Sequence, residues 1–340
     1  MTSKQWKRAF ATIAVATPVL MLAAAILGNH LPPPFAQYVS PGTGIERIEK
    51  VRRLVHGDAA TQCAYIFGDS RAAFSINAAE LTDCPALNFG FPALGTREVA
   101  VQIDEIDTDR KAEVALLSLT MESFLGSSII AQGFGQKGEY ALTDRERLLV
   151  HPVSRTVLFG FDRIRLFVRT TLGFEKMAYD GWSYAPQLGR WVYYGLHNRV
   201  LIDVPPEQQQ VAETARSTFA NKWGIAKDTR QVVEILVHKA RRIAHQVVLI
   251  LPPQFPAFTE AEAHYLPTTR GEFVRAVSDA AAATRSIVID CTDHVRCGLT
   301  DRHFADPVHL NDAGAAAYTA AIRHALEALA KEPDQVAKPI

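Results

Sequence analysis

The feature that most restricts the fold of this chain is an alternation of short apolar runs with amphipathic segments. Five runs have the length and composition of buried strands: residues 63–67, 86–90, 113–119, 246–252 and 286–290. Other segments carry apolar residues at helical spacing, such as Val99, Ile103 and Ile106. Strands that alternate with helices predict an α/β fold, with a parallel sheet of about five strands covered on both faces.

Further helices are predicted over residues 229–245, 269–284 and 312–330, with Asp228 capping the first and Asn311 the last. Between about 125 and 227 the alternation breaks, and the chain is rich in aromatic residues and arginine. This stretch is too long for one ordinary connection. We therefore predict an inserted cap region at the edge of the sheet.

The amino terminus has the pattern of a membrane signal. Lys4, Lys7 and Arg8 precede a charge-free run over residues 9–28, close to the roughly 20 residues that cross a bilayer. Basic residues before this run predict a cytoplasmic amino terminus, with the rest of the chain outside. We favour an uncleaved signal anchor over a cleaved signal peptide, whose apolar core usually has roughly 7–15 residues. A buried core helix is the third interpretation.

This interpretation divides the chain into four parts. Residues 1–30 form a cytoplasmic basic tip with a transmembrane signal anchor, and residues 31–58 form a proline-rich linker. Residues 59–330 form the folded domain with its insertion, and residues 331–340 form a tail.

Charge and cysteine content narrow the class of protein. The formal net charge is zero, and no basic stretch is interleaved with aromatic residues, so nucleic acid is not expected as a partner. Outside the cytoplasm, four cysteines are candidates for disulfides. Cys63 and Cys84 begin successive apolar runs, while Cys291 and Cys297 could close a small loop; four free thiols are the alternative. No cysteine spacing resembles a zinc site, and we expect no metal.

Two loops carry the residues of a nucleophilic site. Ser70 follows the first strand in "YIFGDSRAAF", and Asp306 and His309 precede the last helix in "FADPVHLNDAG". A serine hydroxyl needs a nearby base, and that base needs a partner that fixes its tautomer. Because the carboxyl ends of parallel strands meet at one edge of the sheet, we expect these three side chains to lie together.

Gly68-Asp69-Ser70 and Asp306-Pro307-Val308-His309 resemble the first and last motif blocks of the SGNH (GDSL-like) hydrolase and acyltransferase superfamily. The resemblance implies a three-layer flavodoxin-like fold over residues 59–330 and a catalytic domain that needs no cofactor. It also implies roles for individual residues. Ser70 would be the nucleophile, His309 the base and Asp306 the residue that orients His309. The backbone amides of Ser70 and Gly90 would form the oxyanion hole, with Gly95 as a substitute for Gly90.

The third motif block departs from the superfamily pattern. Its usual asparagine, an oxyanion donor, is absent from "LLSLTMESF". Ser118, Thr120 or Ser123 could donate instead, or the hole could depend on the Ser70 and Gly90 amides alone.

Several features together resemble the extracytoplasmic O-acyltransferase branch of the superfamily: the anchor, "FGDSR", "NFGFPALG", "DGW" at residues 180–182 and "LPP". That branch includes proteins similar to the alginate O-acetylation proteins and the teichoic acid D-alanine transfer protein. The resemblance implies serine-dependent O-acyl transfer, with acetyl as the expected group, from an acyl donor to a cell-envelope or secreted glycan. Arg71 and Trp182 are candidates for substrate contacts.

The same resemblance implies a location and a partner. The chain would pass once through a bacterial inner membrane by residues 9–28, with its catalytic domain in the periplasm beside a membrane-bound O-acyltransferase. Two other functions stay open: a carbohydrate or lipid esterase of the same fold, and a non-catalytic glycan-binding partner of that acyltransferase.

Overall fold

A computed structural model describes most of the chain: residues 3–31, 62–83, 85–91, 94–106, 111–131 and 206–331, strands at 182–185 and 190–193, and part of a helical stretch between 157 and 172. The chain divides into two compact units. One contains the amino-terminal helix and the helical stretch between 157 and 172, and the other contains the large sheet.

The large sheet positions the loops that matter for function. The strands are β1 (Ala64–Phe67), β2 (Ala86–Asn88), β3 (Ala112–Ser118), β4 (Trp182–Ala185), β5 (Arg190–Tyr193), β6 (Ala244–Leu251) and β7 (Ile287–Asp290). Five of them form an all-parallel sheet in the order β2-β1-β3-β6-β7, and β4 and β5 form a separate two-stranded sheet. The predicted five-stranded parallel sheet is confirmed, and its strand order is consistent with a flavodoxin-like fold.

The helices are α1 (Ser3–Asn29), α2 (Ser70–Ser75), α3 (Ala78–Leu81), α4 (Thr96–Glu105), α5 (Gln208–Phe219), α6 (Thr229–Ile243), α7 (Pro256–Tyr265), α8 (Thr269–Thr284) and α9 (Asp312–Lys331). Helices α4, α6, α8 and α9 lie where helical spacing predicts them. Asn311 caps α9, since its Oδ1 accepts the Gly314 N–H at 2.9 Å. Asp228 stands at the N-cap of α6 as predicted, but its side chain makes no capping hydrogen bond and instead accepts the N–H groups of Ile129 and Ile130.

The core of this unit forms where apolar strand residues meet the covering helices. Tyr65, Phe67 and Phe89 are fully buried, and the Phe67 and Phe89 rings stack at 5.5 Å. Helix α5, at the end of the predicted insertion over 125–227, contributes Phe219, whose ring lies 5.4 Å from that of Phe258. The far end of that segment therefore belongs to the same hydrophobic core as the sheet.

Helix α1 covers the apolar run predicted to cross a membrane, and its Asn29 accepts a hydrogen bond of 2.8 Å from Arg163. Among the residues that the structure describes, no helix has the length and apolar character of a membrane span. The localisation stays a prediction from the sequence. The predicted linker beyond residue 31, the tail beyond residue 331, and Cys84 lie outside the described residues.

Candidate active site

The turn after β1 presents Ser70 at the carboxyl edge of the sheet. Gly68 has a φ of +151°, and a Cβ there would lie 2.9 Å from the Ser118 carbonyl oxygen, so only glycine fits. Asp69 then caps α2, because its Oδ1 accepts the Arg71 N–H at 2.9 Å. The apolar strand, the glycine turn and the cap together place Ser70 as the first residue of the helix.

Ser70, His309 and Asp306 form a continuous hydrogen-bonded chain. The Ser70 Oγ lies 2.7 Å from His309 Nε2, and His309 Nδ1 lies 2.7 Å from Asp306 Oδ2. With Asp306 ionised, Nδ1 must carry the proton, so Nε2 is left to accept the Ser70 hydroxyl proton. The Phe74 ring packs edge-on against the imidazole at 5.4 Å. This arrangement has the geometry that activates a serine nucleophile.

A tight turn fixes the two residues of the second loop. The second carboxylate oxygen of Asp306, Oδ1, accepts the N–H groups of Val308 and His309, both at 2.9 Å. The Ala305 N–H donates to the His309 carbonyl at 2.9 Å and closes the turn. Burial tends to raise the pKa of Asp306, but the charge and hydrogen bonds of His309 and the two N–H groups lower it overall. Asp306 is therefore held as a carboxylate.

Asp69, the residue before Ser70, is partly buried and makes a second hydrogen bond. Its Oδ2 accepts the Thr120 hydroxyl at 2.8 Å. Burial raises the pKa of Asp69, Arg71 counteracts this, and the nearby Glu122 adds to the rise. Its hydrogen bonds make Asp69 a structural support for the turn before Ser70.

The three hydroxyls of the third motif block have different positions. Thr120 donates to Asp69, and Ser123 Oγ lies 3.1 Å from Thr120 Oγ1. Ser118 Oγ is buried with no hydrogen-bond partner among the residues that the structure describes. Because the Thr120 hydroxyl proton is already engaged by a carboxylate, Thr120 is not available as an oxyanion donor in this structure.

The predicted oxyanion role of Gly90 needs correction. Its N–H donates to Asn88 Oδ1 at 2.9 Å, so it is committed within the protein. A Cβ at Gly90 would lie 2.5 Å from the Ala73 backbone nitrogen of α2. Gly90 therefore allows close approach between its own loop and the helix that begins at Ser70. Gly95 precedes α4 at its N-cap, and its substitute role stays a prediction.

Arg71, a predicted candidate for a substrate contact, has its partners inside the protein. Arg71 is buried, and its guanidinium is hydrogen-bonded to Glu122 in an ion pair. Burial tends to lower the pKa of Arg71, but Glu122 and Asp69 raise it overall. The charge of Arg71 is satisfied inside the protein and does not face a substrate. The other candidate, Trp182, begins β4, and its side chain lies outside the described part of the structure.

Sequence reasoning missed three polar residues at this edge, of which Asn88 and Gln254 are buried and Glu122 is partly buried. Asn88 donates to the carbonyls of Ala72 at 2.7 Å and Ile76 at 3.1 Å, which ties the end of β2 to α2. Glu122 and Gln254 follow β3 and β6, and Gln254 donates to Glu122 at 3.0 Å. Their places after strands were a visible signal, since such loops line ligand sites in parallel sheets.

The cysteines agree in part with the predicted pairing. Cys291 and Cys297 form a disulfide, with their Cα atoms 5.6 Å apart. Cys63 is also disulfide-bonded. Cys84, its predicted partner, lies outside the described residues, so that pairing stays a prediction.

Comparisons with known proteins find one distant structural similarity and no family. No protein-family model and no curated protein matches the chain. A solved structure described as "The structure of a putative platelet activating factor from Streptococcus pneumonia" is similar, with a TM-score of 0.42 and 11% sequence identity. The match covers 83% of this chain and 92% of that one. A likeness of that size carries no argument about function.

Proposed function

We propose that this protein is an SGNH-type serine O-acyltransferase, with acetyl as the expected group and a cell-envelope or secreted glycan as the acceptor. The observation that carries the proposal is the hydrogen-bonded chain Ser70–His309–Asp306, with both contacts at 2.7 Å. Residues 239 positions apart in sequence meet in the geometry of a serine nucleophile with its base.

In the proposed reaction, Ser70 Oγ attacks the acyl carbonyl as its proton passes to His309 Nε2. The Asp306 carboxylate stabilises the imidazolium that forms. Collapse of the tetrahedral intermediate breaks the bond to the leaving group, which takes the proton from His309, and leaves an ester on Ser70. A glycan hydroxyl then attacks this ester while its proton passes to His309. Collapse of this second intermediate breaks the bond between the acyl carbon and Ser70 Oγ, which takes the proton back from His309, and the acylated glycan leaves.

The oxyanion of each tetrahedral intermediate needs hydrogen-bond donors. We assign one to the Ser70 N–H, which lies in the first turn of α2, where N–H groups have no partner inside the helix. Gly90 is not a second donor, because Asn88 engages its N–H. No step requires a metal or an organic cofactor.

The cysteines support an extracytoplasmic location, because disulfides form and persist mainly in oxidising compartments. An adjacent membrane-bound O-acyltransferase as the source of acyl groups is part of the proposal and comes from the sequence resemblance alone.

An assay of the full-length protein with an aryl acetate, with and without oligosaccharide acceptors, tests the proposal. The proposal predicts acetylated oligosaccharide, little hydrolysis without acceptor, and no activity in Ser70→Ala. A rate of hydrolysis that does not change when the oligosaccharide is added would instead identify an esterase that uses the same acyl-enzyme. No turnover and no reaction of Ser70 with a fluorophosphonate would leave a non-catalytic glycan-binding protein.

A further inference from the structure

A row of polar contacts crosses the carboxyl edge of the sheet and follows the strand order. Arg71 comes from the segment after β1, Glu122 from the segment after β3, and Gln254 from the loop after β6. Pro307 lies in the long connection after β7, between Asp306 and His309. The sheet order β1-β3-β6-β7 brings these four segments side by side.

Each segment contacts the next one directly. The Arg71 guanidinium donates to Glu122 Oε1. Gln254 Nε2 donates to the same oxygen at 3.0 Å. Phe255, the residue after Gln254, donates its backbone N–H to the Pro307 carbonyl at 3.1 Å. The row therefore begins at the residue after Ser70 and ends two residues before His309.

Glu122 occupies the middle of this row, and its Oε1 alone makes both contacts. Its other oxygen, Oε2, is buried and has no hydrogen-bond partner among the described residues. Arg71 and Gln254 are 6% and 2% exposed, so water cannot easily replace the carboxylate that binds them. Loss of that carboxylate would release the segment beside Ser70 and the segment beside His309 together.

The orientation of Gln254 is fixed from its far side. Arg270 donates to Gln254 Oε1 and is itself paired with Glu262, which is 1% exposed. With its oxygen engaged by Arg270, the amide must turn its nitrogen towards Glu122. The contact between Gln254 and Glu122 is therefore set by the fold of α7 and α8.

We propose that Glu122 is a positioning residue that holds Ser70 and His309 at hydrogen-bonding distance, an inference that rests on the proposed function of Ser70. It acts through Arg71 on the nucleophile and through Gln254 and Phe255 on the loop of the base. It does not touch the reacting atoms. Because misplacement of a reacting group by about 1 Å can cost roughly 100-fold in rate, loss of Glu122 should slow chemistry at Ser70 by about that factor.

The test is the reaction of full-length protein with a fluorophosphonate, resolved into its maximal rate of inactivation and its apparent binding constant. Glu122→Ala should lower the maximal rate by about 100-fold and leave the binding constant nearly unchanged. Glu122→Gln keeps an oxygen that can accept a hydrogen bond from Gln254 or Arg71. Its maximal rate should therefore lie between those of the wild type and Glu122→Ala. Thermal unfolding of each variant reports stability separately.

Asp104→Ala is the matched control. Asp104 is also a mostly buried carboxylate in an ion pair, bonded to Lys239 at 2.6 Å and to Arg242 at 3.0 Å, between α4 and α6. Its variant should lose stability but react with the fluorophosphonate at the wild-type rate. If Glu122→Ala does not fold, the comparison of Glu122→Gln with Asp104→Asn gives the same test.

Two outcomes overturn the inference while leaving the proposed function intact: a Glu122 variant that reacts as fast as wild type, or an Asp104 variant that is slowed equally. A wild-type protein that gives no Ser70 adduct overturns the proposed function and the inference with it. A slowed Glu122→Ala beside a normal Asp104→Ala supports both.

Discussion

The hydrogen bonds of Asp306 have a consequence that stability measurements can detect. Its pKa lies below the ordinary value in the folded protein, since His309 and two N–H groups outweigh the effect of burial. A depressed folded pKa adds stability that is complete above the unfolded pKa of about 3.9 and disappears as the pH falls through the lower folded value.

We therefore predict that Asp306→Asn is less stable than wild type at neutral pH and that the difference shrinks as the solution is acidified below about pH 4. Denaturant unfolding of both proteins across a pH series measures this difference. A gap that is constant with pH, or that widens on acidification, would mean that the Asp306 carboxylate is not stabilised as the contacts imply.

Gly90 allows a sharp test because an alanine there keeps the backbone N–H but adds a Cβ. That Cβ would lie 2.5 Å from the Ala73 nitrogen, so the loop or α2 must move. We predict that Gly90→Ala loses about 1–3 kcal/mol of unfolding free energy, typical of overpacking, and that the rate at Ser70 falls with it. Denaturant unfolding and the rate of fluorophosphonate labelling measure both effects, and a variant with wild-type stability and wild-type rate would contradict the packing role of Gly90.

At the scale of elements, the connection between β7 and α9 is held in two places. The disulfide between Cys291 and Cys297 closes its start. Near its end, Asn311 donates to the Arg302 carbonyl at 2.6 Å, and Phe304 pairs with Leu310. The turn at Asp306 lies within the second region and has hydrogen bonds of its own. The disulfide should therefore support stability more than catalytic geometry.

We predict that replacing both Cys291 and Cys297 by alanine lowers the unfolding free energy by about 2 kcal/mol, the chain-entropy value for a short loop. Activity per folded molecule should fall by less than about tenfold, a limit that corresponds to 1.4 kcal/mol. Denaturant unfolding and initial rates on the same preparation measure both. Near-complete loss of activity with unchanged stability would show that the disulfide orients His309 directly.

Helices and strands also differ in how well the sequence predicts them. The five strands of the large sheet were predictable to within two residues, because strands buried on both faces are mainly apolar runs. Two of them, β1 and β6, are also followed directly by glycine or proline. Helix α7 is not among the helices predicted from the sequence. Pro256 is the first residue of that helix, a position that proline favours, so the signal was present.

Over the whole molecule, the hydrogen-bond partners of side chains were harder to predict than the places of residues in the fold. The placement of Ser70, Asp306 and His309 at one edge follows from a parallel sheet, which brings the ends of distant strands together. The partners of Arg71 and Gly90 depend on loop geometry and on which strands are neighbours. A buried arginine beside a nucleophile is equally compatible, in sequence alone, with a substrate contact and with an internal ion pair.

The strand order also explains how a positioning residue can act on both halves of the site. Strands β3 and β6 lie between β1 and β7 in the sheet. The segments that follow β3 and β6 therefore separate the segment of Ser70 from the connection that carries His309. The hydrogen bond between Glu122 and Gln254 joins the two intervening segments. The candidate site is thus a property of the sheet edge as a whole, in addition to the three residues of the hydrogen-bonded chain.

The central claim is that Ser70 forms a covalent acyl intermediate. Its most direct test is to mix the full-length protein briefly with an aryl acetate, quench in acid, and map the acetyl group by peptide mass spectrometry. We expect acetyl on Ser70 in the wild type, and no acetyl at position 70 in Ser70→Ala or His309→Ala. Turnover of the ester by wild type with no acetyl on Ser70, or equal turnover by Ser70→Ala, would contradict it.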